Sequence, residues 1–165
     1  GLLNDVCALR TEGALEAAAA TGLPICLMHM QGEPRTMQQA PSYRDVVSEV
    51  RDFFVERIAA CTAAGIARTR LILDPGFGFG KALSHNCALL AELSGFGSLG
   101  LPLLVGLSRK SMLGALTGRE VSERLAASIA AALIAAERGA RIIRVHDVAA
   151  TRDALQVLEA VTDSR

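Results

Sequence analysis

The sequence of 165 residues contains no tryptophan, one tyrosine and five phenylalanines, so aromatic residues are only 4% of it. Lysine plus arginine and aspartate plus glutamate number 17 each, which leaves no formal net charge. Proteins that bind single-stranded nucleic acid stack bases on aromatic rings and follow the backbone with positive charge. Both features are scarce, so the sequence argues against a nucleic-acid partner and gives no reason to expect an anionic membrane surface.

Long apolar runs and paired cysteines are also missing. No stretch approaches the ~20 apolar residues that cross a bilayer, so we expect no membrane segment. The cysteines are irregularly spaced, without a Cys-x-x-Cys pair, in apolar or helical contexts: Cys7, Cys26, Cys61 and Cys87. This usage predicts a reduced, cytoplasmic protein rather than a disulfide scaffold. No His-x-His, His-Glu-x-x-His or paired-carboxylate motif marks a protein-bound metal.

Short apolar runs alternate with amphipathic stretches along the whole chain. The predicted strands are a clipped one within Gly1–Asp5, then Leu23–His29, Leu71–Asp74, Leu103–Leu107 and Ile142–His146. The predicted helices are Glu12–Thr21, Ser42–Ala64 with Ser42 and Asp45 as a capping-box-like start, Ser84–Leu93, Glu120–Arg138 and Arg152–Val161. This alternation indicates right-handed βαβ units and an all-parallel sheet.

Two α/β folds fit that pattern, a doubly wound sheet and a TIM-type (β/α)₈ barrel. Five units in 165 residues are about 33 residues each, and a barrel of eight takes roughly 250. The chain starts with Gly1 rather than methionine, and Gly1–Asp5 resembles the end of a strand. We therefore predict one domain over residues 1–165 that holds the last five β/α units of a barrel, with the amino-terminal strands missing.

The most informative stretch is Asp74–Lys81, which reads Asp-Pro-Gly-Phe-Gly-Phe-Gly-Lys and follows the apolar run Leu71–Leu73. A carboxylate at the end of a strand can hold the N–C–N edge of a pterin-like or guanine-like ring through two hydrogen bonds, as it holds a guanidinium. The simpler alternative is an aspartate that caps a turn. The glycine run matches neither a Walker loop nor Gly-x-Gly-x-x-Gly and is a weak signal alone.

Two later strands also end in polar residues. Ser108–Ser111, which reads Ser-Arg-Lys-Ser, follows Gly106 and brings two cations to a predicted helix start, where anions bind. Arg144 and His146 are two residues apart on a strand and so share a face, where their burial would call for an anion. The alternatives are a solvated basic turn for the first motif and an ion pair with Asp147 for the second.

Four motifs, in this order and spacing, closely resemble those of bacterial dihydropteroate synthases, and the resemblance runs through all 165 residues. The motifs are Leu27–Gly32, Leu71–Lys81, Val105–Ser111 and Ile142–Asp147. The resemblance implies a TIM-barrel transferase of folate biosynthesis. Such enzymes join p-aminobenzoate to 6-hydroxymethyl-7,8-dihydropterin diphosphate, which gives 7,8-dihydropteroate and diphosphate, and sulfonamide drugs compete with p-aminobenzoate.

The resemblance also implies roles for individual residues on the pterin side. Asn4 and Asp74 would hold the edge of the pterin, with Met28 and Phe79 packed nearby. Asp74 would also be catalytic, because an anionic carboxylate favours the cation that forms on the pterin methylene when the carbon–oxygen bond breaks.

On the other side, Lys110 would lie over the pterin and near the aminobenzoate, whose carboxylate would approach the backbone of Ser111. Arg144 and His146 would bind the diphosphate, and Gly106 would belong to the same substrate-binding set. The predicted catalytic residues are Asp74, Lys110, Arg144 and His146.

Mg²⁺ is expected by resemblance, held with the substrate diphosphate. Its protein ligand, the family's mobile amino-terminal loops and a further pterin-contacting aspartate belong to strands that precede this chain, so we expect the chain alone to be impaired. Two alternatives stay open: a methyltetrahydrofolate-binding methyltransferase-type barrel, which would have no diphosphate to bind, and a non-catalytic remnant. The alanine-rich helix over 125–136 offers a flat face on which a homodimer could pack.

Overall fold

A parallel sheet of five strands forms the centre of the chain, and its strands follow one another in sequence order without a reversal. The structure is a computed structural model that describes residues 1–32, 37 and 39–164. The strands are β1 (Leu3–Asp5), β2 (Ile25–Met28), β3 (Leu71–Asp74), β4 (Leu103–Val105) and β5 (Ala140–Ile143). The helices are α1 (Ala14–Thr21), α2 (Val46–Ala63), α3 (Leu83–Ala91), α4 (Ser111–Thr117), α5 (Leu125–Glu137) and α6 (Val148–Asp163).

This strand order decides between the two predicted folds. A doubly wound sheet reverses its strand order at a switch point, whereas a barrel adds each strand beside the previous one. The order β1-β2-β3-β4-β5 is that of a barrel. The five units therefore form part of a TIM-type barrel, as the sequence predicted.

The two faces of the sheet differ in what they bury. Alternate residues of the central strands enter the main core beneath the helices, among them Ile25, Leu27, Leu71, Leu73, Leu103 and Val105. The residues between them form a small separate cluster of Cys26, Ile72 and Leu104 on the opposite face. Met28 pairs in register with Asp74. Because side chains alternate along a strand, Met28 and Asp74 lie on the face away from the helices, at the carboxyl ends of their strands.

Helix α2 begins later than the sequence predicts. Asp45 is its N-cap residue and accepts a hydrogen bond from the Val47 N–H at 3.1 Å, while the Glu49 carboxylate accepts one from the Asp45 N–H at 3.2 Å. The predicted capping pair of Ser42 with Asp45 was therefore wrong, because Asp45 itself is the N-cap and Glu49 is its partner. Ser42 precedes the helix, and its backbone is bonded instead to the side-chain amide of Gln31.

Strand β5 ends at Ile143, so the prediction of a strand through His146 was wrong. Its partner β4 already ends at Val105, and one further backbone bond follows, from the Arg144 N–H to the Val105 carbonyl at 2.9 Å. Among the described residues no neighbouring strand continues beside Val145 and His146.

The other boundaries differ by smaller amounts. Short strands lose residues at their ends because pairing stops where a neighbour stops, as for β2 and β4. Helix α5 is preceded by a separate 3₁₀ turn at Val121–Glu123, and α6 extends further in both directions than predicted. In the part of the chain that the structure describes, no helix has the length and apolar character to cross a membrane.

Candidate active site

Asp74 lies at the carboxyl end of β3 and is 2% exposed. Its Oδ1 accepts a hydrogen bond from the Gly76 N–H at 2.8 Å, and Oδ2 accepts none from the described residues. Burial raises the pKa of this carboxyl, while the Gly76 N–H and the charges of Lys110, Arg144 and Lys81 oppose that rise. The structure thus holds a carboxylate by one oxygen in a positively charged setting.

The glycines after Asp74 permit the loop to lie against the chain that follows β2. Gly76 has φ of +68°, and a Cβ there would be 1.9 Å from the carbonyl oxygen of His29. Gly80 has φ of +63°, and a Cβ there would be 2.3 Å from the carbonyl oxygen of Gln31. Only glycine fits both the backbone conformation and the distance, so these residues set the position of the loop.

Lys81 is buried at the end of this loop, with 3% exposure. Its ammonium lies 2.9 Å from His29 Nδ1 and donates to the carbonyls of Gly76 at 3.0 Å and Phe79 at 3.1 Å. Burial lowers the pKa of Lys81 to about 7, with Asp74 acting in the opposite direction. Burial and the charge of Lys81 lower the pKa of His29 to about 3, so its ring is neutral and can accept from the ammonium. Sequence reasoning missed this pair.

Lys110 brings the turn after β4 over the loop after β3. Its ammonium donates to the Phe77 carbonyl and lies 4.8 Å from the centre of the Phe79 ring. Burial lowers the pKa of Lys110 to about 8, and the Asp74 charge limits that fall. The predicted catalytic lysine and the predicted pterin loop are therefore in direct contact.

Arg109 does not join Lys110 in the site. Its backbone is left-handed at φ +59°, and its N–H donates to Ser128 Oγ at 3.0 Å. Its guanidinium makes two hydrogen bonds to Asp147, at 3.1 and 2.7 Å. The prediction that Arg109 and Lys110 both face one anion was therefore wrong for Arg109. The alternative ion pair of Arg144 and His146 with Asp147 was also wrong, because Asp147 pairs with Arg109 instead.

Arg144 and His146 lie beside the end of β4. A Cβ on Gly106 would be 2.8 Å from a terminal guanidinium nitrogen of Arg144, so the glycine makes room for that side chain. His146 Nδ1 is 3.0 Å from Ser108 Oγ. Both side chains are exposed, contrary to the predicted burial, because β5 is the last strand of the described sheet. With Gly106, Ser108, Lys110 and Val145, they line a cavity of about 270 Å³.

The remaining predicted residues are at the same end of the sheet or along its inner face. Met28 is 1% exposed and packs beside Gly76, while Phe79 is half-buried beneath Lys110. Asn4 is exposed and pairs in register with Cys26, which lies two residues before Met28 on the same face of β2. Ser111 is the exposed first residue of α4, which confirms the helix start predicted there. The binding roles of these residues stay predictions.

His85 has a structural position. Its Nδ1 accepts a hydrogen bond from the Ala82 N–H at 3.1 Å at the start of α3, and its ring lies 4.8 Å from that of Tyr43. Within the described ranges no three metal-binding side chains of His, Cys, Asp or Glu lie together.

The fold is part of an α/β barrel, and the carboxyl ends of its strands bring together a buried carboxylate, Asp74, and the cations Lys110 and Arg144. The chain belongs to the pterin-binding enzyme family, whose model matches residues 1–146.

Three relatives show how close this relationship is. The chain is 59% identical to the dihydropteroate synthase of Escherichia coli strain K12 over 164 residues, which is 99% of this chain and 58% of that protein. A crystal structure of the Yersinia pestis dihydropteroate synthase with a sulfonamide drug complex matches with a TM-score of 0.97 and 54% identity, over 99% of this chain and 60% of that one. The Xanthomonas albilineans dihydropteroate synthase in complex with 7,8-dihydropteroate matches with a TM-score of 0.92 and 55% identity, over 98% of this chain and 59% of that one. The chain spans about three fifths of the length of these relatives.

Proposed function

We propose that this chain carries the pterin, aminobenzoate and diphosphate sites of a dihydropteroate synthase. The reaction joins p-aminobenzoate to 6-hydroxymethyl-7,8-dihydropterin diphosphate and releases diphosphate. The observation that carries the proposal is the contact of Lys110 with the loop after Asp74, beside a cavity lined by Arg144 and His146. This contact supports the proposal because it brings the loop after Asp74, whose carboxylate would hold the ring, beside Lys110 and Arg144, which would stabilise the leaving group. The names of the relatives support the same reaction.

The pterin edge would be held by the free oxygen of Asp74, which accepts from ring and amino N–H groups. When the bond between the pterin methylene and the diphosphate oxygen breaks, its electron pair leaves with the diphosphate. The cation that remains is delocalised over the pterin ring, and the negative Asp74 favours it. The aniline nitrogen of p-aminobenzoate then forms the new bond and loses a proton.

The leaving diphosphate gains negative charge, which positive groups held in place stabilise. Arg144 supplies a positive charge and His146 a ring N–H donor in the cavity beside Gly106. Lys110 lies between this cavity and the Phe79 ring, so it can contact both the pterin and the incoming aminobenzoate. The aniline needs positioning more than deprotonation, and no side chain is assigned as general base. A sulfonamide would compete at the Lys110–Ser111 end.

Mg²⁺ belongs to the proposal only as an ion that arrives with the diphosphate and neutralises its charge. The cavity lining includes the cations Lys110 and Arg144 but no carboxylate, the side chain that Mg²⁺ prefers, and the described residues contain no cluster of metal-binding side chains. They do not fit a site built from this chain alone, so no step is assigned to the metal.

Calorimetry can test the proposal by measuring the binding of two ligands separately. Arg144→Ala is expected to abolish binding of inorganic pyrophosphate and to leave binding of 6-hydroxymethylpterin intact. Asp74→Asn is expected to weaken binding of the pterin at least tenfold and to leave binding of pyrophosphate intact. Arg141→Ala, on β5 just before Arg144 and also exposed, is the matched control and should change neither. Pterin binding without pyrophosphate binding would favour the methyltransferase-type barrel, and binding of neither would favour a non-catalytic remnant.

Turnover by the chain alone is expected to be small or absent, because it spans about three fifths of the length of its relatives. A coupled assay for diphosphate release tests this expectation, and release clearly above background would contradict it.

Self-association is proposed along the groove of about 390 Å³ between α3, α4 and α5. Its lining is almost entirely apolar and includes Leu90, Leu116, Ala130 and Ile134. A second copy would cover this face, and Ile134→Glu should shift the sedimentation coefficient to that of a monomer. The four free thiols fit a reducing compartment, the cytoplasm.

A further inference from the structure

Ser108 contacts two nitrogen atoms of His146. The serine follows β4 and is 6% exposed. Its Oγ lies 3.3 Å from the backbone nitrogen of His146 and 3.0 Å from Nδ1 of the ring. Neither residue of this pair makes another side-chain hydrogen bond within the described part of the chain.

The two contacts leave one arrangement of hydrogens that satisfies the serine. The backbone N–H of His146 can only donate, so it uses a lone pair of Oγ. If the ring also donated from Nδ1, the hydroxyl hydrogen of Ser108 would have no acceptor among the described residues, since its side-chain hydrogen bonds to them are only these two, and it would depend on water in the cavity. A largely buried hydroxyl is more stable with a protein acceptor held in place. The hydroxyl of Ser108 therefore donates to Nδ1.

We infer that Ser108 is a positioning residue that holds neutral His146 in the tautomer with its hydrogen on Nε2. Nε2 is on the edge of the ring opposite the serine, and His146 lines the cavity beside Gly106 and Arg144. The tautomer presents a donor to an anion in that cavity, whereas the other tautomer would present a lone pair. The inference rests on the proposed diphosphate-binding role of His146 and adds to it what orients the ring.

The chain has three histidines, so a spectrum of ¹⁵N-labelled histidine can be assigned completely. His85 is an internal standard, because its Nδ1 accepts from the Ala82 N–H and its hydrogen must be on Nε2. Two-bond ¹H–¹⁵N correlation spectra distinguish the two neutral tautomers from each other and from the doubly protonated ring, in which both nitrogens carry hydrogen. We expect the pattern of His146 in the unaltered chain to match that of His85. A pattern with the hydrogen on Nδ1 would overturn the inference without any variant.

Two substitutions separate orientation from folding. Ser108→Ala should change His146 to an average of both tautomers, and Ser108→Thr, which keeps the hydroxyl, should restore the original pattern. Ser98→Ala, an exposed serine remote from the cavity, should have no effect. An unchanged His146 pattern in folded Ser108→Ala would overturn the assignment.

Titration with inorganic pyrophosphate, followed on the His146 signals, measures the consequence. Ser108→Ala should bind about fivefold more weakly, the effect of one typical hydrogen bond, and equal affinity would overturn the positioning role. If the unaltered chain binds no pyrophosphate, the proposed function fails for this cavity. The tautomer spectra still decide the inference about Ser108 in that case.

Discussion

Arg109 and Asp147 join the turn after β4 to the turn after β5 through two hydrogen bonds, from Nε at 3.1 Å and from a terminal nitrogen at 2.7 Å. Each partner is the immediate neighbour of a predicted catalytic residue, Lys110 on one side and His146 on the other. The two side chains are 39% and 25% exposed, so the contribution of the pair to folding stability is small. Its geometric effect is larger, because it fixes the distance between two parts of the proposed diphosphate site.

Asp147→Asn should therefore weaken pyrophosphate binding by a factor of a few while the melting temperature changes little. The hydrogen bonds from Arg109 lower the pKa of the Asp147 carboxyl below its ordinary 3.8. A carboxyl with a lowered pKa stabilises the fold at any pH above its unfolded pKa, and it loses that effect only as the pH falls through its folded pKa. At pH 7 Asp147 is therefore ionised and the ion pair is intact. Asp153→Asn, exposed on α6, is the control for calorimetry and thermal melts. A large loss of melting temperature with unchanged affinity would contradict the geometric role.

Asp74→Asn should raise the melting temperature at pH 7 and weaken pterin binding at least tenfold, the effect of losing hydrogen bonds to a charged acceptor. Burial raises the pKa of Asp74 above its ordinary 3.8. A group with a raised pKa stabilises the fold most below the unfolded value, and that stability is lost as the pH rises through the folded value. Asparagine keeps an oxygen for the Gly76 N–H but carries no charge. The gain in stability of Asp74→Asn over the unaltered chain should therefore grow with pH and vanish near pH 3.5.

Thermal melts from pH 3.5 to 8 and fluorescence titration with 6-hydroxymethylpterin measure both effects. Asp52→Asn, exposed on α2, should alter neither. A lower melting temperature for Asp74→Asn at pH 7 would contradict this prediction. It would show that the cost of burying the Asp74 charge is more than offset by the Gly76 N–H and the nearby cations.

The strands and the three polar strand ends could be predicted because each is a local motif of a few consecutive residues. The position of Asp74 follows from the apolar run Leu71–Leu73. The period-2 argument for Arg144 and His146 assumed a strand that in fact ends at Ile143, although both residues do line one cavity. The pairing of Arg109 with Asp147 could not be predicted, since it joins turns 38 residues apart and depends on how two loops meet. The same limit applies to the end of β5, which is set by where β4 stops.

Gly76→Ala should destabilise the fold far more than Gly118→Ala, although both glycines have similar positive φ angles of +68° and +70°. Alanine in the left-handed region costs about 1 kcal/mol at either position. At Gly118 nothing lies within 4 Å of the new Cβ, whereas at Gly76 the His29 carbonyl oxygen is 1.9 Å away and must move. We expect a further cost of about 2 kcal/mol at Gly76, as for overpacked sites. Urea unfolding of the two variants measures the difference, and equal midpoints would show that the loop can relax.

Lys81 illustrates a second limit of sequence reasoning. A lysine after a glycine run is ordinarily a solvated charge, and no pattern in the sequence indicates its burial. Its position follows from the turn made by Gly76 and Gly80, which points the ammonium back at His29 and two carbonyl oxygens. Because it lies beneath the loop that carries Asp74, its charge state bears on stability.

Lys81→Met should flatten the dependence of stability on pH in the alkaline range. The pKa of Lys81 is about 7 in the fold, against an ordinary 10.5, because of burial. Between these values the unfolded chain binds the proton and the folded chain does not, so the free energy of unfolding rises with pH, by at most about 1.4 kcal/mol per pH unit. Methionine removes this rise. Other groups that titrate in the range, such as Lys110 and Tyr43, are the same in both proteins and cancel in the comparison.

Urea unfolding of the unaltered chain, Lys81→Met and Lys81→Arg from pH 6.5 to 10 measures these slopes. Arginine stays charged throughout, so Lys81→Arg should also lack the rise while retaining hydrogen-bond donors for the carbonyls of Gly76 and Phe79. Lys110→Met, the other lysine with a lowered pKa, is the matched control and should keep the part of the slope that belongs to Lys81. Parallel curves for the unaltered chain and Lys81→Met would mean that the buried ammonium keeps its proton up to the ordinary range, held by the carbonyls and by the charge of Asp74.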